Sequence, residues 1–228
     1  MAQETDTVSS TKDVFAAVRE MAIEFRFMPG AKINETDLAH ELGVSRTPVR
    51  EALNRLVTEE LIDFKKNYGF YCRKLDLKDV LHLVEAYKTF HLSILPLVFE
   101  RAAKGEVEAL LASCLEMAEH GNEMPPCEMA RADQAFLHDV TMLTKNPVMA
   151  QINNNISARI RFLRKVMLEG YVCKRAYFAK QQAILEHILA GRQEETAQIF
   201  AEYLTIDSSE AEKALTRGLG RIYLNSGH

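Results

Sequence analysis

The stretch from Gly43 to Val57 constrains this chain more than any other. Val49, Ala52, Leu53, Leu56 and Val57 recur at i, i+3, i+4, i+7 and i+8, the spacing of one buried helix stripe. Arg46, Arg50 and Asn54 recur at i, i+4 and i+8 on a different face, with Thr47 nearby. Ser45 stands where an N-cap is needed, and Pro48 falls in the first turn, where a missing N–H costs no intrahelical bond. A helix therefore starts here, buries one face and shows water two arginines near its N-terminal end. A short helix precedes it, with Asn34 as N-cap, acids in its first turn, Leu38, Ala39 and Leu42 facing inward, and Gly43 closing it. Further upstream, Val14, Ala17, Val18, Met21 and Ala22, followed by Phe25, predict a first amphipathic helix that Met28-Pro29-Gly30 ends.

Guanidiniums and hydroxyls at a helix N-terminus, directly after a short helix and a glycine turn, match a recognition helix. Arginine can grip guanine O6 and N7 bidentately, while Ser45 or Thr47 can hold phosphate together with the helix's free N–H groups. After Glu59-Glu60-Leu61 the pattern becomes extended. Ile62–Lys65 and Phe70–Lys74 predict two strands joined through Asn67-Tyr68-Gly69, with Lys65, Lys66, Arg73 and Lys74 clustered there. That hairpin reads as a wing whose tip approaches the DNA backbone or minor groove, Gly69 permitting close contact. Bulk charge does not carry this reading. Residues 1–75 hold eleven Lys/Arg against twelve Asp/Glu, a net of −1, whereas residues 44–75 hold seven against four, a net of +3. Placement decides, not net charge.

The run GVSRTPVREAL (Gly43–Leu53), preceded by Pro29-Gly30 and Asp37-Leu38-Ala39, closely resembles the DNA-binding signature of the GntR superfamily, over residues 11–75. The resemblance implies that Arg46 and Arg50 read bases of a short palindromic operator. It places Ser45, Thr47 and Pro48 against the backbone and Gly69 at the wing tip. Asn54 and Lys66 join this DNA-binding set from the recognition face and the wing. Thr36 departs from members that carry a DNA-contacting arginine at that position.

From Leu75 onward the periods are helical only. Helices are predicted near 77–103, 105–121, 127–143, 146–169, 172–190 and 193–216, with Asp76 capping the first, Asn146-Pro147 opening the fourth, and Gly170, Gly191 and Gly218 as terminators. The expected fold is mainly α: a winged helix-turn-helix of three helices and a β-hairpin over residues 1–75, then an all-α effector-binding and dimerisation bundle over residues 76–228. The linker is short, because Lys74 runs almost directly into the Asp76 cap.

The second half resembles the FadR (FCD) branch of that superfamily. The resemblance lies in Asp133-Gln134-Ala135-Phe136 leading to Lys145-Asn146-Pro147, Ala183-Ile184-Leu185 leading to Gly191, and Ala197 to Tyr203-Leu204. Many branch members bind a divalent metal through an Asp and three His residues. Here Asp133 is retained, but the His positions are Leu137, Gln181 and Tyr203, so no metal or other cofactor is expected. His138 and His187 are displaced from those positions and read as surface or half-buried side chains. Tyr87 and His91, together with Asp133, Gln181 and Tyr203, are the candidate effector-binding residues. They would form a polar cavity without the branch's usual arginine, or equally they fill the core. Such a cavity points away from a simple carboxylate effector toward a larger or more apolar one, such as an acyl derivative.

The implied protein is a ligand-responsive regulator, a repressor acting as a homodimer on double-stranded DNA. No nucleophile elbow, phosphate loop or Cys/His constellation supports an enzyme, and Gly218-Leu219-Gly220 is an isolated glycine pair. The alternative is a redox sensor using Cys72, Cys114, Cys127 or Cys173, which are scattered without a C-x-x-C pair. The opening MAQETDTVSSTKD is polar and acidic, so neither a secretory signal nor a transit peptide is expected in it. The longest uncharged apolar stretch, Ile94–Phe99, is far short of the ~20 residues of a membrane span. A cytoplasmic location without membrane partners is the expectation.

Overall fold

The computed structural model describes residues 11–120, 123–170 and 174–225. The opening ten residues, Cys173 and the first residues of the helix expected at 172–190 lie outside that range. The chain divides into two compact units between Leu75 and Asp76, with the residues from Leu219 onward grouped with the first.

The first unit holds α1 (Thr11–Ile23), α2 (Glu35–Glu41), α3 (Arg46–Thr58), β1 (Ile62–Lys65) and β2 (Gly69–Cys72). Helix α1 buries Val14, Val18, Met21 and Ala22 and packs on α3. It stops earlier than its sequence suggests, at Ile23. Phe25 takes a left-handed conformation (φ 51°), and the Arg26 N–H bonds the Met21 carbonyl at 2.9 Å, so the terminator is Phe25 rather than Met28-Pro29-Gly30. Asn34 caps α2 through its side-chain oxygen, which accepts from the N–H groups of Thr36 and Asp37. Gly43, at φ 66°, closes α2: its N–H bonds the His40 carbonyl while the Val44 N–H bonds that of Ala39. That paired closure turns the chain sharply, so α3 starts three residues later.

Helix α3 buries Val49, Ala52, Leu53 and Leu56 and leaves Val57 half-buried. Arg55 lies over the Phe15 ring at 3.6 Å and Arg19 pairs with Glu59 at 2.7 Å, both tying α1 to α3. The hairpin is antiparallel in a register running from Ile62↔Cys72 to Lys65↔Gly69. Asn67 (φ 68°) and Gly69 (φ 96°) take the left-handed angles the turn needs. The second strand begins at Gly69 and ends at Cys72, short of the Lys74 expected, and Arg73 instead stacks on the Phe25 ring at 4.8 Å. The outer edge of β2 is bonded to Gly30, Ala31 and Ile33, which fixes the hairpin against the rest of the unit.

The second unit begins with α4 (Leu77–Arg101), capped by Asp76, whose carboxylate accepts from the N–H groups of Lys78 and Asp79. There follow α5 (Lys104–His120), α6 (Pro126–Met142), α7 (Pro147–Leu168, capped by Asn146), α8 (Lys174–Leu189) and α9 (Gln193–Leu204). Helix α6 packs on α7, α5 on α8, and α4 on both α7 and α9. Phe136, Leu137, Val140, Phe178, Ile184 and Phe200 lie at the centre of the apolar core. The single helix expected near 193–216 is two. The chain breaks at Thr205-Ile206-Asp207, and α10 (Ser208–Asn225) starts under the Asp207 carboxylate, which accepts from the N–H groups of Ser209 and Glu210. Gly218 ends no helix. It lies inside α10, where a Cβ would come within 2.8 Å of the Phe162 ring, so the small residue serves close packing. No helix among the described residues is long and apolar enough to cross a membrane.

Candidate functional site

Two sites emerge, one in each unit. In the first, Ser45, Arg46, Thr47, Arg50 and Asn54 are exposed on one face of α3, opposite its buried stripe, and Pro48 is half-buried. Ser45 occupies the N-cap position in an extended conformation but makes no side-chain capping bond. Its hydroxyl and the first N–H groups of α3 are thus unspent on capping, the arrangement that receives a phosphate oxygen. Arg46, Thr47, Arg50 and Asn54 line a groove with Glu35 and Glu51.

Glu35, by sequence an acid suited to the helix dipole, has a side chain only 16% exposed, and its Oε2 lies 4.0 Å from Arg50 Nη1. That carboxylate faces the Arg50 guanidinium without a hydrogen bond and leaves it 60% exposed. On the wing, Lys66 is exposed and Gly69 half-buried. Lys65 is folded back over the Tyr71 ring at 4.0 Å, and Lys32, beside Gly69, adds a basic side chain that periodicity did not flag. Tyr68, exposed at the turn, also went unflagged.

In the second unit, Tyr87, His91, Asp133, Gln181 and Tyr203 are all buried. Three of them join one network. Tyr203 donates to the Asp133 carboxylate, and Gln181 Nε2 donates to the Tyr203 hydroxyl at 2.7 Å. Two members were not foreseen. Arg164 of α7 donates through Nη2 to Asp133 Oδ1 at 2.9 Å and to the Tyr177 hydroxyl at 2.6 Å, and its Nε lies 2.6 Å from Asp133 Oδ2. Tyr177 of α8 also donates to Asp133. The expectation of a site without an arginine is therefore corrected: the arginine comes from α7 rather than from the α4 positions held by Tyr87 and His91.

Burial raises the Tyr177 and Tyr203 hydroxyls far above the ordinary phenol range, so both are donors. Burial is the strongest influence on Arg164 and acts to lower its pKa, but Asp133 together with the surrounding tyrosines raises it well above the usual range, so the guanidinium is held charged. Tyr87 and His91 stand beside this network rather than in it. His91 Nδ1 faces the Tyr87 carbonyl at 2.9 Å, and its ring packs among Tyr87, Phe90 and Phe200. The cavity is also displaced from the expected set. It measures about 50 Å³ and is lined by Arg164, Tyr177 and Tyr203 with Met167, Leu168, Thr205, Ile206 and Glu210.

These groups do not suit a divalent metal. Asp133 is already engaged by a guanidinium and two phenols, Leu137 offers no donor atom, and Gln181 is spent on Tyr203. His138 and His187 are half-buried, and His187 Nδ1 faces the Ala183 carbonyl of its own helix at 2.8 Å.

His91 carries a pH consequence. Desolvation lowers its pKa from 6.5 to about 4, with Arg164 acting in the same direction and the Tyr87 carbonyl and Asp133 opposing. The folded state thus binds its proton less readily than the unfolded chain. Its contribution is full above about pH 6.5 and is lost as pH falls toward 4. Between about pH 7.5 and about pH 5, His91 is expected to remove about 2 kcal/mol of stability. Urea unfolding of wild type and His91→Gln at both pH values checks this, the variant losing that part of the slope; parallel slopes would refute it.

Two cysteines are poorly suited to redox chemistry. Cys72 and Cys114 are buried, and burial pushes their thiols up to about 12 and about 11, so neither forms the reactive thiolate readily. Cys127 is exposed.

Comparison with known proteins bears on both units. Residues 10–72 match the family described as bacterial regulatory proteins, gntR family, and residues 82–205 match the FCD domain. The Nta operon transcriptional regulator of Aminobacter aminovorans is 35% identical over 180 residues, covering 79% of this chain and 83% of that protein. The HTH-type regulator YdhC of Bacillus subtilis is 25% identical over 203 residues, covering 88% and 90%. Among solved structures, E. coli McbR/YncC superposes with a TM-score of 0.66 at 18% identity, over 96% of this chain and all of that one. A GntR regulator from Rhodococcus sp. RHA1 superposes with a TM-score of 0.62 at 23% identity, over 92% and 97%. Those two likenesses speak for the fold.

Proposed function

The chain belongs to the GntR family of bacterial transcription regulators, in its FCD branch, and from that premise we propose that it is a ligand-responsive repressor binding a palindromic operator as a homodimer. The observation that carries the reading is the α3 face. Two exposed arginines share a groove at the start of a helix whose N-cap hydroxyl is unspent on capping. Arg46 and Arg50 read base edges, with Asn54 further along the same face. Ser45, Thr47 and Pro48 seat the helix end on the phosphates, and Lys66 and Gly69 bring the wing to the backbone.

Homodimerisation follows from the economy of a palindrome, in which two identical heads meet two identical half-sites. A small molecule bound in the second unit shifts an equilibrium between operator-competent and operator-incompetent states, by no more than its differential affinity for the two. Tyr87, His91, Asp133, Gln181 and Tyr203 form or support that site, which works without a metal cofactor. We read the chain as a cytoplasmic regulator and not an enzyme. The redox alternative is disfavoured by the buried, high-pKa thiols of Cys72 and Cys114.

Operator selection from random duplex DNA, followed by mass measurement of the complex, tests this reading. A two-fold symmetric consensus bound by two chains is expected; an asymmetric consensus or a single bound chain would refute it. On the selected operator, Lys66→Ala is expected to reduce the salt slope by about one while leaving base preference intact. Affinity titrations across a range of salt concentrations read both.

A further inference from the structure

The cavity against Arg164 differs from what a carboxylate or a metal chelate requires, and its chemistry points elsewhere. Arg164 is the cation on the lining of this cavity, and its charge is already met. Nε and Nη2 face Asp133, which is 1% exposed, and Nη2 also donates to Tyr177. Among the described residues no hydrogen bond is made by the remaining nitrogen, Nη1, and Arg164 is on the lining of the cavity. Both phenols spend their protons on Asp133 and accept from Arg164 or Gln181. At this cavity, therefore, Arg164 offers a donor not spent on its neighbours, while its positive charge is already compensated by Asp133. Glu210 stands on the same lining and adds a second carboxylate.

A ligand carboxylate placed here would compete with the buried Asp133 carboxylate for one already paired guanidinium, and would share the lining with Glu210, with no free positive charge to offset it. An uncharged carbonyl oxygen accepts the Nη1 proton without that repulsion. Met167, Leu168 and Ile206 on the cavity wall suit the apolar atoms attached to such a carbonyl. At about 50 Å³ the space holds a head group of about three or four non-hydrogen atoms.

We propose that this cavity is the effector's head-group subsite and that it selects an uncharged carbonyl compound, of the amide or ester class, over a carboxylate. The inference rests on the reading of the second unit as an effector domain and names the ligand chemistry of that domain.

The Met167 methyl group provides a local probe. Protein labelled with 13C-methyl methionine is titrated with N-methylacetamide and, separately, with sodium acetate at matched ionic strength, the resonance being assigned with Met167→Leu. The Met167 signal is expected to shift saturably with the amide and at least tenfold more weakly with acetate. In Asp133→Asn/Arg164→Met, which removes both charges together, the amide response should fall at least fivefold. A response to acetate equal to or stronger than that to the amide would overturn the proposal, as would no saturable amide response or an undiminished one in the double variant. The wild-type titration decides independently of the variant's stability. Operator affinity measured alongside separates the two ideas. An amide that moves Met167 without changing operator affinity leaves the subsite standing and refutes only its coupling to DNA.

Discussion

Replacing Arg164 by methionine is expected to destabilise the second unit by roughly 3–5 kcal/mol, the cost of leaving one member of a buried ion pair alone. The geometry sets this size. Asp133 is 1% exposed and the Arg164 side chain 10%, so water cannot take over the role of the missing guanidinium. Two phenol donors would remain on the carboxylate, which softens the loss without neutralising the charge. Asp133→Asn alone leaves the opposite orphan, a guanidinium without its counter-charge, and is expected to cost a similar amount. The double variant Asp133→Asn/Arg164→Met removes both charges and keeps an oxygen to accept from Tyr177 and Tyr203. It should recover most of what either single change loses, because a well-packed neutral pair is often as stable as a buried salt bridge. Urea unfolding of the four proteins yields the coupling energy directly. Additive losses would show that Arg164 does not act through Asp133.

That pair also shows where sequence reasoning ends. The exposed face of α3 was legible because everything that defines it is local. One stripe is apolar, one face carries Arg46 and Arg50, and Gly43 supplies the left-handed angle between α2 and α3. Helix α7 carries arginines at 159, 161 and 164, and nothing in their spacing says that Arg164 turns inward to meet an aspartate 31 residues earlier. A buried charge is set by its partner, and that partner is supplied by tertiary packing. Gly218 failed for a related reason. A glycine near a helix end reads as a terminator, but here it is a contact between α10 and Phe162. Glu35 looked like an ordinary first-turn acid until the turn at Gly43 brought Arg50 against it. Asp133, Gln181 and Tyr203 were picked out by position in a family pattern, and they do share one buried network, but the pattern gave no sign of the arginine that joins it.

The double variant Arg46→Ala/Arg50→Ala is expected to lose operator affinity to the level of non-specific DNA, since each bidentate guanine contact is worth about 1–3 kcal/mol. The two arginines are not equivalent. Arg46 is exposed on the recognition face, whereas Arg50 also faces the mostly buried carboxylate of Glu35. Arg50→Ala therefore removes a base contact and uncovers a negative charge in a groove that must accept a polyanion. It should weaken binding more than Arg46→Ala, and Glu35→Gln in the Arg50→Ala background should restore part of the difference. Both arginines lie outside the core of the first unit, so thermal unfolding should shift little, and any loss of binding then reports recognition rather than folding. Competition titrations of selected against scrambled operator read the specificity ratio, which is the quantity these residues control. A double variant that keeps the wild-type ratio would mean that α3 does not read the bases, whatever its resemblance to helices that do.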